Sequence, residues 1–286
     1  MLSKIKKWLL TTWLGRLALM PYRLVMVMQK ATPGLIARVR WVVQSREIGI
    51  EGYVQEPLSQ RELGFVLSVV TGKPVLEIFG YLEEIRNDHE FHDYWRSTIT
   101  ASPLRWSLDA GFAPGRRVQN YVIIRATRPR TVVEAGVRHG HGAALILRAL
   151  ERNACEGFSG HYFGVEDNRQ QECLLWQNYP GPRGQLVYDD SVTFLRTWRD
   201  DPIDFFMHET HTESEHAIAQ LTALKPHLHV GSIIVTPWLL KPFMDFALED
   251  DWHVLGHHDR VSNHWHAGSH NLFLFKKEIQ PSAPNN

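Results

Sequence analysis

The residues most able to do chemistry begin at Val133, where the chain reads VEAGVRHGHG: an acid, Glu134, followed by Gly136 and Gly140. Glycine tolerates the positive φ of a tight turn and lets backbone approach a ligand closely. A helix opening near Gly142 would present free N–H groups to a polar or anionic group. About 30 residues on, Gly164-Val165-Glu166-Asp167 supplies a carboxylate that can accept both protons of a ribose diol. A third polar stretch, Tyr188-Asp189-Asp190-Ser191, can hold an adenine amino group or ring nitrogen. Alone, the glycine turn is weak evidence, because many α/β proteins use such turns for packing. Followed by Glu166 and then by Asp190 and Ser191, it points to a nucleoside-type cofactor. The turn lacks the full Gly-x-Gly-x-x-Gly, and Glu134 stands where many dinucleotide-binding turns carry a first glycine, which lowers the NAD alternative.

Such residues need a sheet to bring them together, and the sequence predicts one. From Arg130 onward, short apolar runs alternate with amphipathic stretches. Strands are expected at 131–134, 161–165, 186–188, 203–207 and 232–235, with helices at 143–152, 168–177, 192–199, 213–224 and 243–249 between and after them. Residues 252–255 and 271–275 are expected to close the sheet as an antiparallel pair. The predicted fold class is α/β: a doubly wound, Rossmann-like, mostly parallel sheet with an antiparallel last strand, preceded by an N-terminal helical extension. Such sheets bind ligands at the carboxyl ends of their strands, where the strand order reverses. Upstream, 60–87 reads as two short helices around Thr71-Gly72-Lys73-Pro74, 88–108 is polar and aromatic with a break at Pro103, and 116–127 is helix-like.

The motifs VVEAGVRHGHGA, YFGVED and YDDS, with IDFFMHETHTESEHAIAQL and LKPHLHVGSIIV after them, resemble the class I S-adenosylmethionine-dependent methyltransferases. The likeness is to the small O-methyltransferase group that also includes cephalosporin-hydroxylase-type proteins, and it covers about 150 residues. The resemblance implies S-adenosylmethionine as cofactor. It assigns Glu134 and Gly136 to the methionine part, Glu166 to the ribose, and Asp190 with Ser191 to the adenine, with Gly140 in the cofactor turn.

The sequence departs from the metal-dependent relatives at the fourth and fifth strands. Their Asp-Gly-Asp-His is here His208-Glu209-Thr210-His211, and a final Asp or Asp-Asp is here Thr236-Pro237. Hard cations prefer oxygen donors, so no bound magnesium is expected. His208 can act instead as a general base, since an imidazole pKa near ~6.5 suits proton removal at neutral pH; His211 is the second candidate catalytic residue. A structural, hydrogen-bonded role for both is the competing reading. The stretch 256–270 holds His257, His258, Asp259, His264, His266 and His270. These are ligands for zinc or iron in one reading and a pocket rim or interface in the other.

The first 45 residues contain no acid but carry Lys4, Lys6, Lys7, Arg16, Arg23, Lys30, Arg38 and Arg40. Arg16, Pro21 and Arg23 interrupt what would have to be roughly 20 apolar residues to span a bilayer. With Trp8 and Trp13 the segment reads as an amphipathic helix for a membrane interface, with self-packing and organelle targeting as alternatives. The expected domains are 1–45 as this basic segment, 46–115 as a helical cap, 116–278 as the Rossmann-like methyltransferase domain and 279–286 as a disordered tail. Net formal charge is zero, so no nucleic-acid partner is expected. Cys155 and Cys173 lack CxxC spacing and fit a reducing cytosol. The expected partners are a small-molecule or lipid-linked acceptor, a membrane surface met peripherally through residues 1–45, and a second copy of the chain. A metal-dependent hydroxylase or hydrolase and a non-catalytic cofactor-binding scaffold remain as alternative functions.

Overall fold

A computed structural model describes residues 39–45, 52–106, 108–210, 213–261, 264, 266 and 268–276. The basic segment before residue 39, His211 and the 279–286 tail lie outside the described residues.

Residues 46–261 and 267–286 make up one compact unit. It opens with three helices: α1 (Pro57–Thr71), α2 (Val75–Arg86) and α3 (His89–Ala101). Pro57 starts α1 at a position where a missing N–H costs nothing, and Gly72 ends it at φ 70°, the left-handed conformation that glycine adopts freely. The carboxylate of Asp88 caps α3 by accepting from Phe91 N at 3.1 Å. The same carboxylate takes a two-point contact from Arg148 at 2.7 and 2.8 Å, tying α3 to the helix that carries Arg148.

After α4 (Val118–Thr127) come β1 (Thr131–Ala135), α5 (His141–Cys155), β2 (His161–Val165), α6 (Leu174–Gln177), β3 (Gln185–Val187), α7 (Ser191–Thr197) and β4 (Phe205–His208). Then follow α8 (Ser214–Leu224), β5 (Ile233–Thr236), α9 (Lys241–Glu249), β6 (His253–His258) and β7 (His270–Phe275). The sheet order is β3-β2-β1-β4-β5-β7-β6, with β7 antiparallel to both neighbours and β1 to β5 parallel. The expected fold class is the observed one.

Every residue of β1, β4 and β5 is buried, because helices cover both faces, so their apolar residues follow one another without alternation. The polar Glu134, His208 and Thr236 fall at or near the carboxyl ends. On one face Val132, Met207 and Val235 share a core with α4, α5 and the cap residues Leu63, Ile78 and Trp95. On the other, Val133, Phe206 and Ile234 pack with Leu195, Leu221 and Phe243 from α7, α8 and α9.

One element is shorter than the sequence predicts. The helix expected over 168–177 is reduced to α6. Asn168 explains the loss: its side chain accepts from Gln170 N at 3.0 Å and its own N–H donates to Glu166 at 3.1 Å, local bonds that compete with a helix. Cys173, at φ 47°, delays the helix further.

A second compact unit combines residues 1–45 with 262–266. Within it, residues 39–44 are helical and Trp41 meets His264 edge-on, ring centroids 5.2 Å apart. Among the described residues no helix is long and apolar enough to cross a membrane.

Candidate functional site

The strand order reverses between β1 and β4, and the loops leaving β1, β2, β3 and β4 meet at the carboxyl end of the sheet. There they enclose a cavity of about 170 Å³, with Gly136, Glu166, Asp190 and Ser191 in its wall. Asp167, Asp189 and Glu209 bring the carboxylates to five, against one guanidinium from Arg138. This lining suits a ligand that carries positive charge.

Gly136 leaves β1 at φ 91°, and a Cβ there would collide with the Glu209 carbonyl oxygen, so only glycine lets the two loops pass. Gly140 sits at φ 84° just before α5, where a Cβ would come 2.7 Å from Trp176 N. Glu166 holds the turn between them. Its Oε2 accepts from Val137 N at 3.1 Å and Arg138 N at 2.8 Å, and its Oε1 from Asn168 N. Thus the expected ribose acid stands on the cavity wall and also fixes the glycine turn.

Glu134 lies outside the cavity lining and is 1% exposed. It accepts from Tyr162 Oη at 2.6 Å, and its carboxylate occupies the space that a Cβ on Gly142 would take. Burial, followed by the nearby charges of Glu209 and Glu166, pushes its pKa up to about 8, against the favourable contacts of Tyr162 and Arg117.

Asp190 caps α7, accepting from Thr193 N at 2.9 Å. Ser191 Oγ accepts from Gln220 Nε2 at 2.7 Å and lies 3.3 Å from His216 Nε2. The Gln220 oxygen in turn lies 2.6 Å from His208 Nδ1. One buried chain of polar groups therefore runs from β4 through α8 to the expected adenine side of the cavity. His208 is fully buried, with the Phe243 ring 4.8 Å from its own, and does not line the cavity.

Sequence reasoning missed the partners of Glu209. It points to the opposite face of β4 from His208 and pairs with Arg116, with Arg117 Nε at 3.7 Å, and all three are buried. Burial alone would raise the Glu209 pKa; Arg116 and Arg117 outweigh it and hold the carboxyl below its usual range. The available signal was a Glu where the metal-dependent relatives carry Gly, and the adjacent arginines at 116 and 117. In the 256–270 segment, buried Asp259 accepts from Tyr53 Oη at 2.5 Å and Gln55 Nε2 at 2.7 Å, with His257 Nδ1 3.1 Å away. Asp259 thereby anchors the chain entering the cap. Among the described residues no group of three or more His, Cys, Asp or Glu side chains is placed to hold a metal ion.

Fold and site together define a Rossmann-like protein with an acid-lined cavity at its topological switch point. Residues 133–236 match the family model described as a methyltransferase domain, so this part of the chain is a methyltransferase domain. No curated protein matches the chain. Among solved structures, cofactor-bound Rv0187 from MTB is similar over 72% of this chain and 98% of its own, at 14% identity and a TM-score of 0.50. The O-methyltransferase TomG from Streptomyces achromogenes, in complex with SAM, aligns over 65% and 90% at 12% identity with a TM-score of 0.49. The O-methyltransferase from Bacillus cereus, in complex with SAH, aligns over 66% and 92% at 12% identity with a TM-score of 0.46. The residues present fit the cofactor: a glycine turn without Cβ atoms, five carboxylates, and Thr210 Oγ1, buried beside the cavity without a hydrogen-bond partner among the described residues.

Proposed function

We propose that the chain is an S-adenosylmethionine-dependent O-methyltransferase acting on a hydroxyl of a small-molecule, lipid-linked or glycan acceptor. The observation that carries this reading is the convergence of Gly136, Glu166, Asp190 and Ser191 on one cavity inside a methyltransferase domain. When bound, the cofactor supplies an electrophilic methyl group on a sulfonium. Glu166 would hold the ribose hydroxyls, Asp190 and Ser191 the adenine, and Gly136 and Gly140 would admit the cofactor to the turn. Glu134 acts from behind the turn, keeping its shape and local charge. Methyl transfer needs little beyond an acceptor oxygen aligned within about 3–3.5 Å of the methyl carbon. His208, bonded to Gln220, steadies Ser191 in this reading, and His211 takes the acceptor proton. The acid-free composition of residues 1–45 supports a peripheral membrane contact.

Titration calorimetry with S-adenosylmethionine and S-adenosylhomocysteine, on wild type and Glu166→Ala, tests the assignment. Wild type is expected to bind both and the variant to lose both. Absence of heat from either ligand with wild type overturns the reading.

A further inference from the structure

A second, larger cavity of about 380 Å³ lies in the cap, between α2, α3 and the segments around Gln55 and Phe112. This volume falls in the roughly 300–1,000 Å³ range of ligand pockets. Leu82, Ile85, Phe112 and Val118 give it apolar walls. The His92 ring stacks on Phe112 with centroids 4.0 Å apart, and its Nε2 donates to Ile85 O, so this wall is fixed.

Polar groups mark the two ends. Gln55, 3% exposed, forms part of the inner wall, and its Nε2 is committed to Asp259. Its Oε1 is buried with no hydrogen-bond partner among the described residues. A buried carbonyl in that state is costly and is met by a donor when one is supplied. At the outer end stand Arg86 and Arg96, with side chains 52% and 62% exposed. Each pairs with an acid three residues earlier on its own helix, Glu83 and Asp93, and such exposed pairs exchange readily for a ligand acid. No carboxylate is among the described residues lining this cavity, whereas five line the cofactor cavity. The two cavities thus select opposite charges.

We propose that the cap cavity binds an amphipathic anion: an acidic group at Arg86 and Arg96, an apolar middle against Leu82, Ile85, Phe112 and Val118, and a hydrogen-bond donor at the inner end for Gln55. An ω-hydroxy carboxylic acid of medium chain length has this order of groups. The site stands apart from the methyl-transfer reading, since none of its lining residues lines the cofactor cavity.

The test is calorimetric titration of the full chain with 10-hydroxydecanoate, decanoate and 1,10-decanediol, repeated on Arg86→Ala/Arg96→Ala. The hydroxy acid is expected to bind several-fold tighter than decanoate and at least tenfold tighter than the diol. The double variant is expected to lose at least tenfold in affinity for both acids while keeping the wild-type unfolding midpoint, because both arginines are exposed. Failure of the acids to bind wild type overturns the proposal, as does equal binding of acid and diol. A hydroxy acid no tighter than decanoate overturns the role of Gln55.

Discussion

His208 Nδ1 lies 2.6 Å from the side-chain oxygen of Gln220, whose nitrogen donates to Ser191 Oγ at 2.7 Å. Gln220 and His208 are fully buried and Ser191 nearly so. The oxygen can only accept, so His208 carries its proton on Nδ1. Gln220→Leu breaks both bonds without emptying the site. It is expected to cost about 1–3 kcal/mol, the usual penalty for stranding buried polar groups, read from urea unfolding. If Ser191 holds the adenine, the same variant also binds S-adenosylhomocysteine more weakly.

Two glycines with the same φ separate backbone strain from close approach. Gly136 and Gly157 both sit at 91°, but a Cβ on Gly157 meets nothing within 4 Å, while one on Gly136 strikes the Glu209 carbonyl. Gly157→Ala is expected to cost about 1–2 kcal/mol from the left-handed conformation alone. Gly136→Ala is expected to cost more and to abolish calorimetric binding of S-adenosylhomocysteine. Equal costs for the two would show that the loops do not need to pass so closely.

The buried Glu134 carboxyl makes stability depend on pH. Its pKa rises from 4.5 to about 8 in the fold, so between those values the folded chain keeps a proton that the unfolded chain has lost. Stability therefore falls as pH rises through this window. Glu134→Gln removes the titration, so the unfolding free energy of wild type relative to the variant is expected to fall between pH 5 and pH 8, whatever slope buried His141 adds to both. A stability difference between wild type and Glu134→Gln that stays constant across this window would contradict the assignment.

The Arg116–Glu209 pair is expected to be sensitive to loss of either partner. Both side chains are more than nine-tenths buried. Arg116→Ala leaves Glu209 with Arg117, at 3.7 Å, and the field of Arg138, while Glu209→Gln removes the anion facing the arginines. Each is expected to destabilise by about 3–5 kcal/mol, with Glu209→Gln the more damaging. Thermal unfolding ranks the two.

The succession of strands and the polar residues at their ends were legible because they depend on local grammar. Apolar runs marked β1, β2, β4 and β5, and the glycine turn, Glu166 and the Asp190-Ser191 pair each end a strand, so a parallel sheet had to gather them. The Glu209 site was not legible. Its partner Arg116 is 93 positions away, and nothing in periodicity announces a pairing across elements. Asp259 was hidden in the same way: among histidines it read as a metal ligand or as part of a pocket rim, whereas its donors come from Tyr53 and Gln55. The short α6 was missed because one side chain, Asn168, outcompetes a helix by accepting from the backbone N–H of Gln170.

The anchoring of Tyr53 and Gln55 on Asp259 also sets an order of assembly. These bonds join residues 206 and 204 positions apart, and Asn271 contributes a further donor to the same carboxylate at 3.4 Å. On the ribosome, the segment that walls the cap cavity meets Pro114 and Arg116 first, and gains its buried carboxylate only when the final hairpin emerges. The cavity nearest the start of the described fold is therefore among the last parts to be completed during synthesis, and a chain halted before Asp259 would leave Tyr53 Oη and Gln55 Nε2 without their buried acceptor.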